Sequence, residues 1–242
     1  MAIRILLCAF LLMLRACPSG GSSGLDWASR PYADKVPEPV GVWTIDTVNV
    51  YFDDTKIYGA TQSYAWVKDW STSFISTLLP YLVTSSADYG ANFKIVNSPD
   101  DANVIIRLYC QEWTKTGSTG GDNGYDKFVY NGKIISSYAP GNGTNYNGVV
   151  YANVKNKVYR GAEVYLNVYT IMQVRRDYEA AGNPDWEAAA KGLLFKVTGH
   201  EWGHVLGLND DLSFTTPGWM VRKAMTDYFN DYERATLEFM YD

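Results

Sequence analysis

The stretch TGHEWGHVLGLNDD, at positions 198–211, contains both histidines of the 242-residue chain. The residues before it favour a helix that is capped by Asn183, has Pro184 in its first turn and runs until Gly207, so His200 and His204 are expected one turn apart on the same helix face. Their Cβ atoms would then lie about 6 Å apart, which lets two imidazoles reach one metal ion. The pair therefore predicts a metal site built on a helix.

Two acids complete the predicted site. Glu201 follows His200 and is rotated by about 100° around the helix axis, so it flanks the metal without ligating it and can act on water. Gly207 can adopt a positive φ that ends the helix and turns the chain back towards the metal. This turn would place Asp210 where its carboxylate can bind the metal as an oxygen ligand. Zinc needs three protein ligands and one open position for hydrolysis.

Other acids compete with Asp210 for the third ligand position. Asp211 is adjacent in the sequence and takes this role if the loop after Gly207 is one residue longer. Three acids farther along the chain would not need the glycine, and they are Asp227, Glu233 and Glu238.

The segment HEWGHVLGLND, residues 200–210, fits the pattern HExxHxxGxxD. It resembles the metzincin clan of zinc endopeptidases, in the form in which aspartate replaces the third histidine, as in the snapalysin-type neutral proteases. The resemblance covers residues 45–242. It implies a zinc ion bound by the two histidines and Asp210, with Glu201 as the general base in the hydrolysis of polypeptides.

A methionine in a tight turn beneath the metal is the second signature of this clan. Met225, in KAMTDYFNDYERATLEFMYD, matches that signature, and Met220 is the alternative. Tyr228, three residues after Met225, is a weaker candidate for transition-state support. The resemblance also implies an α+β domain with one mixed, twisted sheet, a long helix before it, an active-site helix, a Met-turn and a C-terminal helix.

The segments before the histidine helix alternate between strand and helix patterns. Strand-like segments occur at 47–54, 92–98, 102–110 and 161–170. Aromatic and leucine residues at helical spacing predict a helix over 62–82, with Pro80 near its end. Residues 114–148 are rich in glycine and asparagine and predict loops around one short strand or hairpin. This order indicates an α+β or α/β fold with one sheet.

The N-terminal residues indicate export. Residues 1–17, MAIRILLCAFLLMLRAC, combine an early arginine with an apolar run too short to span a bilayer, which is typical of a signal peptide. The ending LRAC resembles a bacterial lipoprotein signal and predicts a lipid anchor at Cys17, with free secretion as the alternative. Residues 18–44 are predicted to form a tether that continues as a linker or a loosely docked arm, and residues 45–242 the catalytic domain.

The charge balance limits the partners. The chain has 21 basic and 26 acidic residues, a formal net charge of −5, and removal of two leader arginines leaves 19 and 26, or −7. A negative surface argues against nucleic acid and anionic lipid as partners. We expect a monomeric extracellular or cell-surface protein without a membrane span, acting on polypeptide.

A different function class also fits the sequence. In it, the chain is a non-catalytic extracellular binding protein in which zinc only braces the fold and the tyrosine-rich loops at 114–160 bind a ligand. A narrower alternative is an exopeptidase. Cys110 is predicted to be a small buried side chain rather than a nucleophile. Asp122 and Asp126 are weak candidates for calcium binding because their loop lacks a regular ligand spacing.

Overall fold

A computed structural model describes residues 24–58, 65–110, 127–130, 133–137, 148–211, 216–221 and 225–241 of the chain. These residues form an α+β fold with one mixed five-stranded sheet, a separate two-stranded sheet and four α-helices. The prediction of an α+β fold with one mixed main sheet is confirmed.

The elements have the following bounds in chain order. The strands are β1 (Val48–Tyr58), β2 (Phe93–Ile95), β3 (Val104–Tyr109), β4 (Lys127–Tyr130), β5 (Lys133–Ser137), β6 (Gly148–Lys155) and β7 (Val158–Asn167). The helices are α1 (Ala65–Ser86), α2 (Tyr169–Ala180), α3 (Trp186–Val205) and α4 (Asp231–Tyr241). The hairpin of β4 and β5 lies within the segment for which the sequence predicts one short strand or hairpin.

The main sheet has the strand order β2-β1-β3-β7-β6. The first four strands pair in parallel, and β6 runs antiparallel to β7 at the edge. Asn156 and Lys157 connect β6 to β7 with φ values of 54° and 63°. Two positive φ values are typical of a type I′ turn, whose twist suits an antiparallel pair. This hairpin brings β6 alongside α3.

The core lies between the sheet and the helices. Val104, Ile106 and Leu108 of β3 are at most 1% exposed, as the apolar run at 102–110 predicts for a strand in the sheet interior. They belong to one hydrophobic cluster with side chains of α1, α3 and α4. The sheet and the helices thus bury one continuous core that fixes the position of α3.

Helix α1 extends beyond residue 82, at which the sequence predicts its end. Pro80 lies inside the helix, which reaches Ser86. Leu82 is 1% exposed, and the Ser86 hydroxyl donates to the Leu82 carbonyl at 2.8 Å and accepts from the Trp202 indole N–H at 2.9 Å. Burial and this link to α3 outweigh the one backbone hydrogen bond that proline removes.

The N-terminal arm, residues 24–44, packs against the domain. Val42 and Trp43 are 4% and 5% exposed and belong to the core. Val42 pairs with the backbone of Val158, and the Trp43 indole N–H donates to the Val205 carbonyl at the end of α3, at 2.8 Å. These contacts join the arm to segments far away in the chain, so Val42 and Trp43 are part of the packed core.

Cys110 lies at the end of β3 and is 1% exposed. Its Sγ lies 3.9 Å from Met172 Sδ, and burial raises the pKa of the thiol to about 12. A thiol with this pKa is almost entirely protonated at neutral pH and is a poor nucleophile. The prediction of a small buried side chain is confirmed.

Some predictions concern residues outside the described part of the chain. These are the leader at 1–17 with its Cys17 and the calcium candidates Asp122 and Asp126. Within the described ranges, no helix combines the length and the apolar character needed to cross a bilayer.

Candidate metal centre

His200, His204 and Asp210 converge at the C-terminal end of α3. The imidazole ring centroids are 4.9 Å apart, with the ring planes at 85°. Asp210 Oδ1 lies 3.2 Å from His200 Nε2 and 3.5 Å from His204 Nε2. One ligand atom of each residue lies within 4.8 Å of the other two, and within the described ranges no other His, Cys, Asp or Glu residues form such a group. These three residues could therefore hold one metal ion.

The chain reversal that delivers Asp210 occurs at Gly207, whose φ is +98°. Helix α3 ends there in a Schellman motif, with Gly207 N donating to the His204 carbonyl at 3.0 Å and Leu208 N to the Gly203 carbonyl at 2.9 Å. A Cβ on Gly207 would overlap the carbonyl oxygen of Gly41 in the N-terminal arm. Both the positive φ and this close approach require glycine.

Backbone carbonyls orient both imidazoles. His200 Nδ1 lies 2.6 Å from the Trp219 carbonyl oxygen, and His204 Nδ1 lies 2.9 Å from that of Leu208. Because a carbonyl oxygen can only accept, each Nδ1 carries the proton and donates it. The Nε2 lone pairs are then directed at the space beside Asp210 Oδ1. Such outer hydrogen bonds commonly orient metal-binding histidines.

The electrostatic environment of His204 favours a cation. Burial opposes a charge on the imidazole, but the hydrogen bond to Asp210 and the charges of Glu201 and Asp210 outweigh it, so the pKa of His204 is raised. The Leu208 carbonyl acts in the same direction. The two carboxylates thus produce a negative potential at the site, which also favours a divalent metal ion.

Glu201 lies next to His200 on α3, but it is not one of the three grouped residues. Its side chain is buried, with 5% of the residue exposed. The carboxylate lies against the backbone of Gly148, the first residue of β6: a Cβ there would be 2.5 Å from Glu201 Cγ and 2.6 Å from Oε1. A glycine at position 148 is therefore what allows the carboxylate to lie between α3 and the sheet edge.

We expect the substitution Gly148→Ala to displace the Glu201 carboxylate. Real Cβ contacts are essentially never shorter than 3.0 Å, so the added methyl group forces Glu201 to move. Because a misplacement of about 1 Å in a reacting group can lower a rate about 100-fold, the peptide hydrolysis that the sequence resemblance implies should fall strongly in this variant, while the metal binding it implies should stay unchanged. Elemental analysis and peptide hydrolysis assays measure the two effects.

Gly161→Ala is the matched control for this prediction. Its Cβ, on the neighbouring strand β7, would lie 3.6 Å from the Asn103 carbonyl oxygen, an ordinary contact distance. This variant should keep wild-type activity. If both variants have equal activity, the contact between residue 148 and Glu201 does not control the position of the Glu201 carboxylate.

Met220 lies beneath the helix that carries the histidines. It is fully buried, and a Cβ on Gly203 would overlap its Sδ atom. In the same way, a Cβ on Gly199 would overlap the indole ring of Trp219. Met225 is partly buried, packs against the core and pairs through its backbone with Gly218. The side chain of Met220, the alternative for the turn, therefore packs against α3 at Gly203.

Sequence reasoning missed Gly199 and Gly203, although they carry a signal. Each precedes a histidine by one residue, and each glycine inside a helix costs about 0.5–1 kcal/mol relative to alanine. Two such residues four positions apart indicate a helix face that another segment approaches closely. Here that segment is Trp219 and Met220.

The other acids weighed as third ligands lie outside the metal group, and they are Asp211, Asp227, Glu233 and Glu238. Asp211 pairs through its backbone with the segment at Met220 and Val221. The Glu233 carboxylate accepts hydrogen bonds from three backbone N–H groups. Tyr228, the candidate for transition-state support, is 56% exposed.

Comparison of the chain with models of known protein families gives no match, and a search among curated proteins gives none either. The interpretation of the site therefore depends on its own geometry and on the residues that form it.

Proposed function

We propose that this protein is a zinc-dependent endopeptidase whose metal ion is bound by His200, His204 and Asp210. The observation that carries the proposal is the spacing of the ligand atoms. Zinc bonds to nitrogen and oxygen of about 2.0–2.1 Å in tetrahedral geometry place neighbouring ligand atoms about 3.3 Å apart. The two distances from Asp210 Oδ1 to histidine Nε2 atoms are 3.2 and 3.5 Å.

The composition of the ligand set supports a catalytic role. Two imidazoles and one carboxylate are three protein ligands, whereas structural zinc sites are closed by four. The described residues include no fourth histidine, cysteine or acid in this group. An open position favours hydrolysis over the non-catalytic binding protein that the sequence also allows.

Glu201 is positioned to move a proton in the proposed reaction. When bound, zinc supplies a Lewis acid that polarises the scissile carbonyl and acidifies water. The Glu201 carboxylate accepts a proton from the attacking water and delivers it to the leaving amine as the C–O bond forms and the C–N bond breaks. Its contact with Gly148 limits the space available to the carboxylate, and its charge acts on His204.

The sheet edge supports a polypeptide substrate. β6 is the terminal strand of the main sheet, and it begins at the residue that touches Glu201. Extended peptides commonly bind by adding a strand to a sheet edge, where main-chain hydrogen bonds provide affinity. A peptide added to β6 would pass the carboxylate. We further propose a metzincin-like fold and an extracytoplasmic location, the latter supported by the leader sequence at 1–17.

Metal removal tests the proposal. The purified protein is expected to contain about one zinc ion per chain, as a single three-ligand site requires. Dialysis against a chelator should abolish casein hydrolysis, and added Zn²⁺ should restore it. Elemental analysis separates zinc from iron, which also binds sites of two histidines and one carboxylate. Full zinc occupancy without hydrolysis would instead support the structural-zinc alternative, and end-labelled peptides separate endopeptidase from exopeptidase cleavage.

A further inference from the structure

One peptide group connects His200 to a buried carboxylate on α4. The carbonyl oxygen of the Trp219–Met220 peptide lies 2.6 Å from His200 Nδ1, which donates to it. The N–H of the same peptide, on Met220, donates to Glu233 Oε1 at 2.9 Å. Carboxylate, peptide and imidazole therefore form a continuous hydrogen-bonded chain that ends at the proposed metal ligand.

Glu233 is placed to act as an ionised acceptor. It is 1% exposed, and its Oε2 accepts from Trp219 N at 3.2 Å and from Asn230 N at 2.8 Å. The pKa of Glu233 is raised, chiefly by burial and also by the charge of Asp211, while the three N–H donors act against that shift and favour the carboxylate. Both carboxylate oxygens face donors, which suits an acid that accepts and does not donate.

Capping of α4 explains only part of this arrangement. Asn230 and Glu233 form a capping box, in which Asn230 Oδ1 accepts from Glu233 N at 2.9 Å and Glu233 accepts from Asn230 N. A capping box needs no contact with Trp219 or Met220. Gly218 leaves room for the additional contacts, since a Cβ there would lie 2.6 Å from both Glu233 oxygens.

We propose that Glu233 is a positioning residue that strengthens His200 as a metal ligand by polarising the Trp219–Met220 peptide. Hydrogen bonds in a chain polarise one another, so donation to a carboxylate makes the peptide carbonyl a stronger acceptor. A stronger bond at Nδ1 holds the ring in place and increases the electron density at Nε2. This inference rests on the proposed metal site.

The second histidine provides an internal comparison. His204 Nδ1 donates to the Leu208 carbonyl, within the turn that ends α3. The N–H in the same peptide group as this carbonyl is that of Asn209. The backbone N–H groups that donate to Glu233 are those of Trp219, Met220 and Asn230, so Glu233 bonds a different segment. Loss of the Glu233 charge should therefore change the environment of His200 and leave that of His204 unchanged.

Nuclear magnetic resonance of the ¹⁵N-histidine-labelled protein tests the proposal, because the chain has two histidines. In the metal-free Glu233→Gln variant we expect the Nδ1–H proton of His200 to move upfield and that of His204 to stay. Zinc affinity, measured by competition with a chelator, should fall about 10- to 100-fold. Glu238→Gln, an exposed acid on α4, is the matched charge control and should change neither quantity.

Two further variants separate polarisation from folding. Asn230→Ala breaks the capping box and should lower Tm while leaving the His200 resonance near its wild-type position. If Glu233→Gln does not fold, Glu233→Asp, which keeps the charge but is one methylene shorter, should show the same His200 shift with smaller amplitude. An unchanged His200 resonance, or equal shifts of both histidines, overturns the proposal.

These experiments distinguish failure of the proposed metal site from failure of the proposed role of Glu233. If the wild-type protein binds no metal, the zinc site fails, while the metal-free spectra still test the link from Glu233 to His200. If the wild-type protein binds zinc and the Glu233→Gln variant binds it equally well with an unshifted His200, only the role of Glu233 fails.

Discussion

Replacement of Glu201 by glutamine is expected to lower kcat/KM for peptide hydrolysis by about 10²- to 10⁴-fold, the usual contribution of general acid–base catalysis. Glutamine keeps the size of the side chain and its packing against Gly148 but cannot accept the proton of the attacking water. Zinc content should stay at the wild-type level, because Glu201 is not one of the three grouped ligands. Elemental analysis and a quenched fluorescent peptide assay measure both quantities.

Two further variants on α3 serve as controls for this result. His204→Ala removes a ligand and should lose both zinc and activity. Glu187→Gln changes an exposed acid that pairs with Lys191 one turn later, and it should retain both. If Glu201→Gln hydrolyses peptides at the wild-type rate, the assignment of Glu201 as the general base is wrong.

Gly207→Ala is expected to destabilise the protein and weaken metal binding together. A non-glycine residue held at a disfavoured φ costs about 1–3 kcal/mol, which corresponds to a fall in Tm of roughly 2–12 °C for a chain of this size. The new Cβ would also overlap the Gly41 carbonyl, and the 2.8 Å hydrogen bond from Val40 N to the Gly207 carbonyl would be strained. Displacement of the turn moves Asp210, so zinc affinity should fall more than about tenfold.

Gly192→Ala is the matched control, because it makes the same glycine-to-alanine change inside the helix that the Gly207 turn ends. Gly192 lies inside α3, where a Cβ would meet nothing within 4 Å. Alanine should therefore stabilise the helix by about 0.5–1 kcal/mol and leave zinc affinity unchanged. Calorimetry measures Tm and chelator competition measures zinc affinity for both variants. If Gly207→Ala raises Tm or leaves zinc affinity unchanged, the proposed role of Gly207 is wrong.

The sequence alone was sufficient where the determinants are local. The four-residue spacing of His200 and His204 places them on one helix face, and Gly207 lies where a helix must end with a positive φ. Asp210 follows shortly after Gly207, and this turn brings its carboxylate back to the histidines. Helical periodicity and turn geometry extend over a few residues, so they can be deduced without knowledge of the fold.

Only the tertiary structure decided the contacts that join distant segments. Composition predicts a tether, linker or loosely docked arm for residues 18–44, and only the structure shows that Val42 and Trp43 of this segment are buried in the core. Likewise, Gly148 meets Glu201 and Met220 meets α3 across separations that no local pattern encodes. Each of these contacts depends on how the sheet edge, the arm and the segment before α4 pack around one helix. Packing is a property of all partners together, and single segments of sequence do not specify it.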